Sequence, residues 1–514
     1  MKKNHENKRY IYDPLYGIID DLPDYIWDVI PCPELQRLRE VRLCNINSLC
    51  LTGGANINRY EHAIGTCYLA QECLDSKPPL NPVSEKERTL FLLAALLHDV
   101  ISGAFGHSVQ YIEKFEHEKE FKYAVFGEKG ETYQYKLATS EPIFFGMPRE
   151  LPSKRTKEDI EEIGEIIAGK GRFGPLINGT IDLDNIDNVF RLAYHIGLVK
   201  SGEIPLKLAK SLYMGYSGEE RGKLIVRKNA VPLIEEWYKI RKKLYLLLLQ
   251  NPEDFSAKCM LTEAIQISKE KNDLSFNWYD VDFELLQKAS KVSSETSNII
   301  SRLMKGQLYG CMGIFSTSKI DKYKLFTDKN ERRKLESELS ERIKTKHLTT
   351  VDASLRDIIY RKEIPNVLRE NLSTIGYNLS DKSIIKSFGE NKWKIEDEMH
   401  TYLVKQINNG IEIYELISKY ENIKVAIHPI LDVSKTERHV RIRTDEGKVI
   451  KIGKSSHQLL IGVFFKNINL NVYKIDNVYK DAKIHKEIFT YLSNTLADPN
   501  LKEVALYGEV KKSD

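Results

Sequence analysis

The run Leu90-Phe91-Leu92-Leu93-Ala94-Ala95-Leu96-Leu97-His98-Asp99 decides how this chain folds. Apolar residues fill every position after Thr89, so the helix that the spacing predicts over 85–100 has no polar face and belongs at the centre of a core. A histidine and an aspartate close it side by side. A carboxylate at that depth is expensive when unpaired, and a divalent cation shared with the imidazole is the natural compensation.

Two further stretches supply partners. In Asn58-Arg59-Tyr60-Glu61-His62-Ala63-Ile64-Gly65, Asn58 has the side chain of a helix N-cap and His62 falls on the first turns of the helix it starts. The third stretch, Asp182 to Gly197, places Ile186, Val189, Phe190 and Ala193 on one helical face and Asp184, Asn188, Arg191 and His195 on a polar stripe, expected to face water or metal. His62, His98-Asp99 and the polar stripe that carries Asp184 thus offer candidate donors for one divalent ion. Two imidazoles and two carboxylates suit Mn, Mg, Fe, Zn or Ni without selecting among them.

These residues, in this order, resemble the H…HD…D pattern of the HD phosphohydrolases. Asp13-Pro14-Leu15-Tyr16-Gly17, Gln36-Arg37-Leu38-Arg39, Gly54 to His62, Gly103 to Ser108 and His117-Glu118 extend the resemblance to the deoxynucleoside triphosphate triphosphohydrolases. That family includes bacterial dGTPases and mammalian enzymes in which a sterile alpha motif precedes the HD domain, and the chain resembles their catalytic region over about 10–265. The resemblance implies hydrolysis of a deoxynucleoside triphosphate (dNTP) to deoxynucleoside and inorganic triphosphate, with water attacking the α-phosphorus. The 5′ alkoxide is a poor leaving group, and an imidazole of ordinary pKa about 6.5 is a suitable general acid. His107 matches the family's catalytic histidine, and His117 with Glu118 its second acid–base element.

Substrate contacts carried over by the resemblance are Arg59 and Arg241 on phosphate and Gln250 on the base, with Asn188 on the third helix where the mammalian enzymes carry a tyrosine. Guanidinium suits phosphate because its planar fork bonds two oxygens at once. For Arg241 a plain surface position is an equal reading of the residues. Ser102 replaces a family histidine, Leu43 a sugar-holding glutamine, and Asn185 and Leu192 a lysine and an aspartate, so the metal ligands are kept while the nucleotide walls have changed. Gln36 and Arg39 match positions used for an activating nucleotide. A homo-oligomer, dimer or tetramer, and a role in nucleotide depletion for defence are the further expectations. The alternatives are an HD phosphodiesterase acting on cyclic nucleotides or nucleic-acid ends, and a non-catalytic nucleotide- or RNA-binding regulator using the basic stretch Arg438 to Arg443.

Composition is compatible with all of these. The 514 residues are 42% hydrophobic, enough for a sizeable core, and 77 basic against 73 acidic side chains leave a net charge of +4, so no global field demands a nucleic-acid partner. Seven cysteines form no CxxC pair, as expected in a reducing cytoplasm. The N-terminus lacks an apolar signal region, and apolar runs fall short of the ~20 residues of a membrane span. Helical spacing dominates the first half, including acidic 157–167 and long 231–250. After a charged helix over 328–346, Val440–Arg443 and Val449–Ile452 alternate around Asp445-Glu446-Gly447 as a β-hairpin does, with a second strand region at 459–465. The expected fold is mainly α: an all-helical HD core over 1–330 and a smaller C-terminal α+β lobe over 331–514, the boundary lying within 320–350.

Overall fold

The computed structural model describes residues 9–44, 46, 56–76, 83–109, 121, 157–215, 222–271, 279–361, 424–469 and 482–505. Polar caps start the helices that carry the site. Asn58 accepts the backbone N–H of Glu61 and opens α1 (Arg59–Leu74). Ser84 and Glu87 exchange bonds in a capping box that opens α2 (Glu85–Leu97). After α3 (Lys157–Ile167), Asp182 accepts the N–H of Asn185 and opens α4 (Leu183–His195). Each of these satisfies an N–H that has no partner within its helix.

Two compact units divide the chain: residues 1–308 with 430–460 and 507–514, and residues 309–429 with 461–506. In the first, α2 packs on α1 and α3, and α1 packs on α4. Every residue from Leu90 to Leu97 is at most 1% exposed, as an all-apolar helix requires. Ile186, Val189, Phe190 and Ala193 bury the apolar face of α4, where each large side chain contributes about 1.5–3 kcal/mol. Trp237 of α5 (Val231–Gln250) donates its indole N–H to the Asn185 carbonyl and so joins α5 to the start of α4. Then follow α6 (Pro252–Glu270), α7 (Asp282–Val292) and α8 (Ser294–Met304).

Strands are few in this unit. Near its N-terminus β1 (Ile11–Asp13) and β2 (Gly17–Ile19) form a short antiparallel ribbon. A four-stranded sheet runs β3 (Leu212–Met214), β4 (Leu224–Val226), β7 (Val440–Thr444), β8 (Val449–Ile452), with β5 (Tyr309–Thr317) and β6 (Val425–Val433) lying between β4 and β7 in sequence. The expected hairpin is present as β7–β8, turning at Gly447, whose φ of 76° a side chain would strain. It pairs in parallel with β4, Ile225 opposite Arg443 and Val226 opposite Thr444. The hairpin therefore belongs with the helical unit rather than with the rest of the C-terminal region.

The second unit contains the strand-bearing remainder. Its sheet has the order β10 (Lys502–Ala505), β5 (Tyr309–Thr317), β9 (His457–Asn469), β6 (Val425–Val433), and the divisions between units fall inside β6 and β9. The charged helix, α9 (Lys329–Arg361), starts where expected and runs beyond 346, with Asp328 accepting the N–H groups of Asn330 and Glu331. It packs on α10 (Ala482–Leu496). The expected division near 330 is a single cut; the units observed are interleaved, and the second begins at Tyr309 with a strand buried on both faces. Such a strand shows no alternation in sequence. The protein is mainly α, a helical core edged by small sheets, with a smaller strand-containing C-terminal region.

Candidate metal centre

His62 and His98 meet ring edge to ring face, with centroids 5.0 Å apart and Nε2 atoms 3.2 Å apart. Their other nitrogens are both committed to acceptors. His98 Nδ1 lies 2.8 Å from the Ala95 carbonyl oxygen, and His62 Nδ1 lies 2.6 Å from Asp187 Oδ2. A carbonyl and an ionised carboxylate only accept, so each Nδ1 carries the hydrogen and each Nε2 of a neutral ring presents a lone pair. Two lone pairs facing each other at that separation repel unless a proton or a metal ion stands between or beside them. Nitrogens sharing a metal at about 2.1 Å each stand no more than about 4.2 Å apart, and this pair meets that limit.

The carboxylates complete the donor set. Asp99 Oδ2 is 4.0 Å from His62 Nε2 and 3.9 Å from His98 Nε2, so that His62, His98 and Asp99 form a group that can hold a metal ion. Asp184 Oδ1 lies 2.9 Å from His62 Nε2 and 3.8 Å from His98 Nε2. Its side chain is 33% exposed where those of His62, His98 and Asp99 are 5% or less, so the cluster reaches solvent on the Asp184 side. Electrostatics agree with the geometry. Burial alone would lower the pKa of His62, but the hydrogen-bonded carboxylates of Asp184 and Asp187 bring it up to about 10. Burial would raise Asp184, and the two imidazoles outweigh it and lower its pKa. The site has a high affinity for positive charge.

Asp99 is held from both sides. Arg59, which the sequence aims at this pocket, is buried, and its Nη1 lies 2.6 Å from Asp99 Oδ2. Ser102, the departure from the family histidine, donates its hydroxyl to Asp99 Oδ1 at 2.9 Å. The polar stripe of α4 is a different matter from what its spacing predicts. Asp184 borders the cluster, but Arg191 is fully buried and paired with Asp187, Glu61 and Asp13, and His195 bonds Glu61 at 2.9 Å. The stripe faces acids on other elements, which helical spacing within α4 does not reveal. Asp187, the residue that sequence reasoning missed, carries a visible signal: it stands three residues after Asp184 and four before Arg191, the spacing of a helical ion pair.

Residues 59–175 match the family model of the HD domain. The chain carries an HD domain. It is 26% identical over 262 residues to the uncharacterized protein YwfO of Bacillus subtilis, 51% of this chain and 56% of that one. It is 25% identical over 208 residues to a deoxynucleoside triphosphate triphosphohydrolase, the SAMHD1 homolog of Dictyostelium discoideum, 38% of each chain. The human SAMHD1 deoxynucleoside triphosphate triphosphohydrolase is 28% identical over 222 residues, 38% of this chain and 34% of that one. The chain thus spans little more than half the length of the first of these relatives and less of the others. A phosphohydrolase from Bacteroides thetaiotaomicron shares the fold, with a TM-score of 0.50 at 14% identity over 89% of this chain and 99% of that one.

Beyond the cluster of His62, His98 and Asp99 the remaining candidates take varied positions. The surface reading of Arg241 is corrected: it is buried, its guanidinium donates to the carbonyls of Lys435 at 2.7 Å and Ser434 at 3.3 Å, and it lies 4.3 Å from the centre of the Tyr245 ring. Nearby, Arg438 donates to the Gly179 carbonyl at the approach to α4. Asn188 is half-buried one turn after Asp184, and Gln250 is half-buried at the end of α5. His107 is exposed beyond a loop fixed at three points: Arg37 donates to the Val100 and Ser102 carbonyls, and Phe105, at φ 52°, donates its N–H to Asp282 at 2.7 Å. A bulky residue in that conformation costs of order 1–3 kcal/mol and persists only where its surroundings hold it. His117 and Glu118 lie outside the described residues. Gln36 and Arg39 bond each other, and Leu43 and Leu192 are buried. Among the described residues no helix is long and apolar enough to cross a membrane.

Proposed function

We propose that this protein is a metal-dependent phosphohydrolase that converts dNTPs to deoxynucleoside and inorganic triphosphate. The observation that carries the reading is the pair of imidazoles facing each other through Nε2 at 3.2 Å, each with its Nδ1 committed elsewhere and two carboxylates alongside. His62, His98, Asp99 and Asp184 would hold the ion. When bound, a divalent ion there supplies Lewis acidity toward phosphate and lowers the pKa of water. The relatives whose names specify dNTP triphosphohydrolase support the substrate class.

The chain's own residues then divide the work. Arg59, beside Asp99, and Arg241, beside the start of α4, bring positive charge toward the triphosphate, and Asn188 and Gln250 contact the nucleoside. As water oxygen bonds to the α-phosphorus and the bond from phosphorus to the 5′ oxygen breaks, His107 gives a proton to that leaving oxygen. His117 and Glu118 assist the proton transfers. A homo-oligomer in the cytoplasm, a nucleotide activator and a part in nucleotide depletion for defence complete the proposal.

Each dNTP and NTP, incubated with Mn, Mg, Fe, Zn or Ni and with nucleotide mixtures, gives products that chromatography separates. Intact triphosphate with deoxynucleoside is the expected result. A 5′-monophosphate product indicates the phosphodiesterase reading, which the same ligands would serve. RNA binding without turnover under any of these conditions indicates the non-catalytic regulator.

A further inference from the structure

We propose that Asp187 is a positioning residue of the metal site, clamped by Arg191 and Tyr16 so that it holds the Nδ1–H of His62 and presents Nε2 to the ion. The inference rests on the metal reading above and concerns a residue that is not itself a ligand. The two histidines are oriented by different means. His98 leans on a helical backbone carbonyl, that of Ala95, which side-chain substitution leaves in place. His62 leans on a side chain, so its ring orientation and tautomer depend on a group that a mutation removes.

That side chain is fixed on every side. Asp187 is fully buried, and Arg191, also fully buried, takes both of its oxygens, Nε to Oδ2 and Nη2 to Oδ1, each at 2.9 Å. The Tyr16 hydroxyl donates to Oδ1 at 2.8 Å. Arg191 cannot swing away, because its Nη1 is bound by Glu61 at 2.6 Å and by Asp13 at 2.9 Å. His62 Nδ1 shares Oδ2 with Arg191 Nε and lies 2.6 Å from it.

The fold makes room for the clamp at a cost. Gly65 lies on α1 one turn beyond His62, and a Cβ there would stand 2.1 Å from Arg191 Nη2 and 2.2 Å from Asp187 Oδ1. Three elements contribute: Asp13 and Tyr16 from the β1–β2 turn, Glu61 and Gly65 from α1, Asp187 and Arg191 from α4. Well-packed apolar residues in place of such a buried network are often neutral or stabilising, so stability alone does not call for it. Its location directly behind a metal-facing imidazole does.

The test is metal affinity together with the His62 proton. In D187N, the dissociation constant for Mn²⁺ from chelator competition is expected to rise about 10- to 100-fold, the effect of losing such a support. In zinc-loaded wild-type protein the His62 Nδ1–H signal in ¹⁵N-resolved NMR is expected to exchange slowly with water, and in D187N rapidly. A residue that merely stabilised the fold would lower the melting temperature without changing that signal. Should D187N not fold, Y16F removes one hydroxyl and is expected to weaken Mn²⁺ about 2- to 10-fold, the loss of one hydrogen bond, and to speed the same exchange. Unchanged affinity and exchange in Y16F, or in a folded D187N, overturn the positioning role. Wild-type protein that binds neither Mn²⁺ nor Zn²⁺ overturns instead the metal reading on which it rests.

Discussion

A methyl group at position 65 would have to share space with a buried guanidinium and carboxylate, at 2.1 and 2.2 Å. Alanine gains about 0.8–1.0 kcal/mol over glycine in helix propensity, while overpacking a core costs about 1–3 kcal/mol. Contacts that short, with atoms tied into a buried ion pair, put the cost at the upper end, so Gly65→Ala is expected to lose about 1–2 kcal/mol in urea denaturation. A gain in stability would mean the network yields freely. For the ligands, His98→Ala and Asp184→Ala are expected to lose bound metal and turnover together. His107→Ala is expected to keep the metal and slow the chemical step by roughly 10²- to 10⁴-fold, as for a lost general acid; unchanged turnover would reject its role. The ligand residues were legible because histidine beside aspartate at the end of an apolar run is chemically conspicuous. Asp187 was not, because its significance lies in facing His62, Arg191 and Tyr16 across three elements, and periodicity within one helix reports only which face a residue is on.

At the scale of elements, the caps and the hairpin were legible and β5 was not. Asn58 and the Ser84–Glu87 box announce helices locally, and Asp445-Glu446-Gly447 announces a turn. Tyr309–Thr317 is buried almost throughout and reads equally as part of a helix. The end of β6 and the segment after it hold a polar element of another kind. Asp432 is fully buried and accepts from the N–H groups of Lys435 and Thr436 at 3.0 Å, from Ser456 Oγ and Gln458 Nε2 at 2.8 Å, and from the Thr436 hydroxyl. Burial would raise its pKa, but these donors outweigh it and hold the carboxyl below the usual value. Its folded pKa thus lies below the unfolded value of about 3.9, so its contribution to stability is present above about pH 4 and is lost as pH falls through the folded pKa. Asp432→Asn is expected to melt below wild type at pH 7, with the difference shrinking under acid. A constant difference across pH would assign its effect to packing alone.

For the whole molecule, the interleaving of the chain matters more than its length. A cut at 330 follows the sequence's change of character, yet residues 430–460 belong to the first compact unit. A fragment of residues 1–330 would leave the β4 edge without β7, to which Ile225 and Val226 are paired, and would strip Arg241 of the Ser434 and Lys435 carbonyls. Arg241 is buried with its Nη atoms on those carbonyls, and a buried charged donor left without acceptors costs several kcal/mol. Against a typical stability of 5–15 kcal/mol, that loss together with a bare strand edge is large. The fragment is therefore expected to be protease-sensitive from β4 through α5 and to lack a cooperative melt, while the full chain resists cleavage there. Limited proteolysis with mass mapping and a thermal melt, run on both, measure this. A fragment that melts cooperatively and binds Mn²⁺ like the full chain would mean that the helical unit closes its core without the returning hairpin.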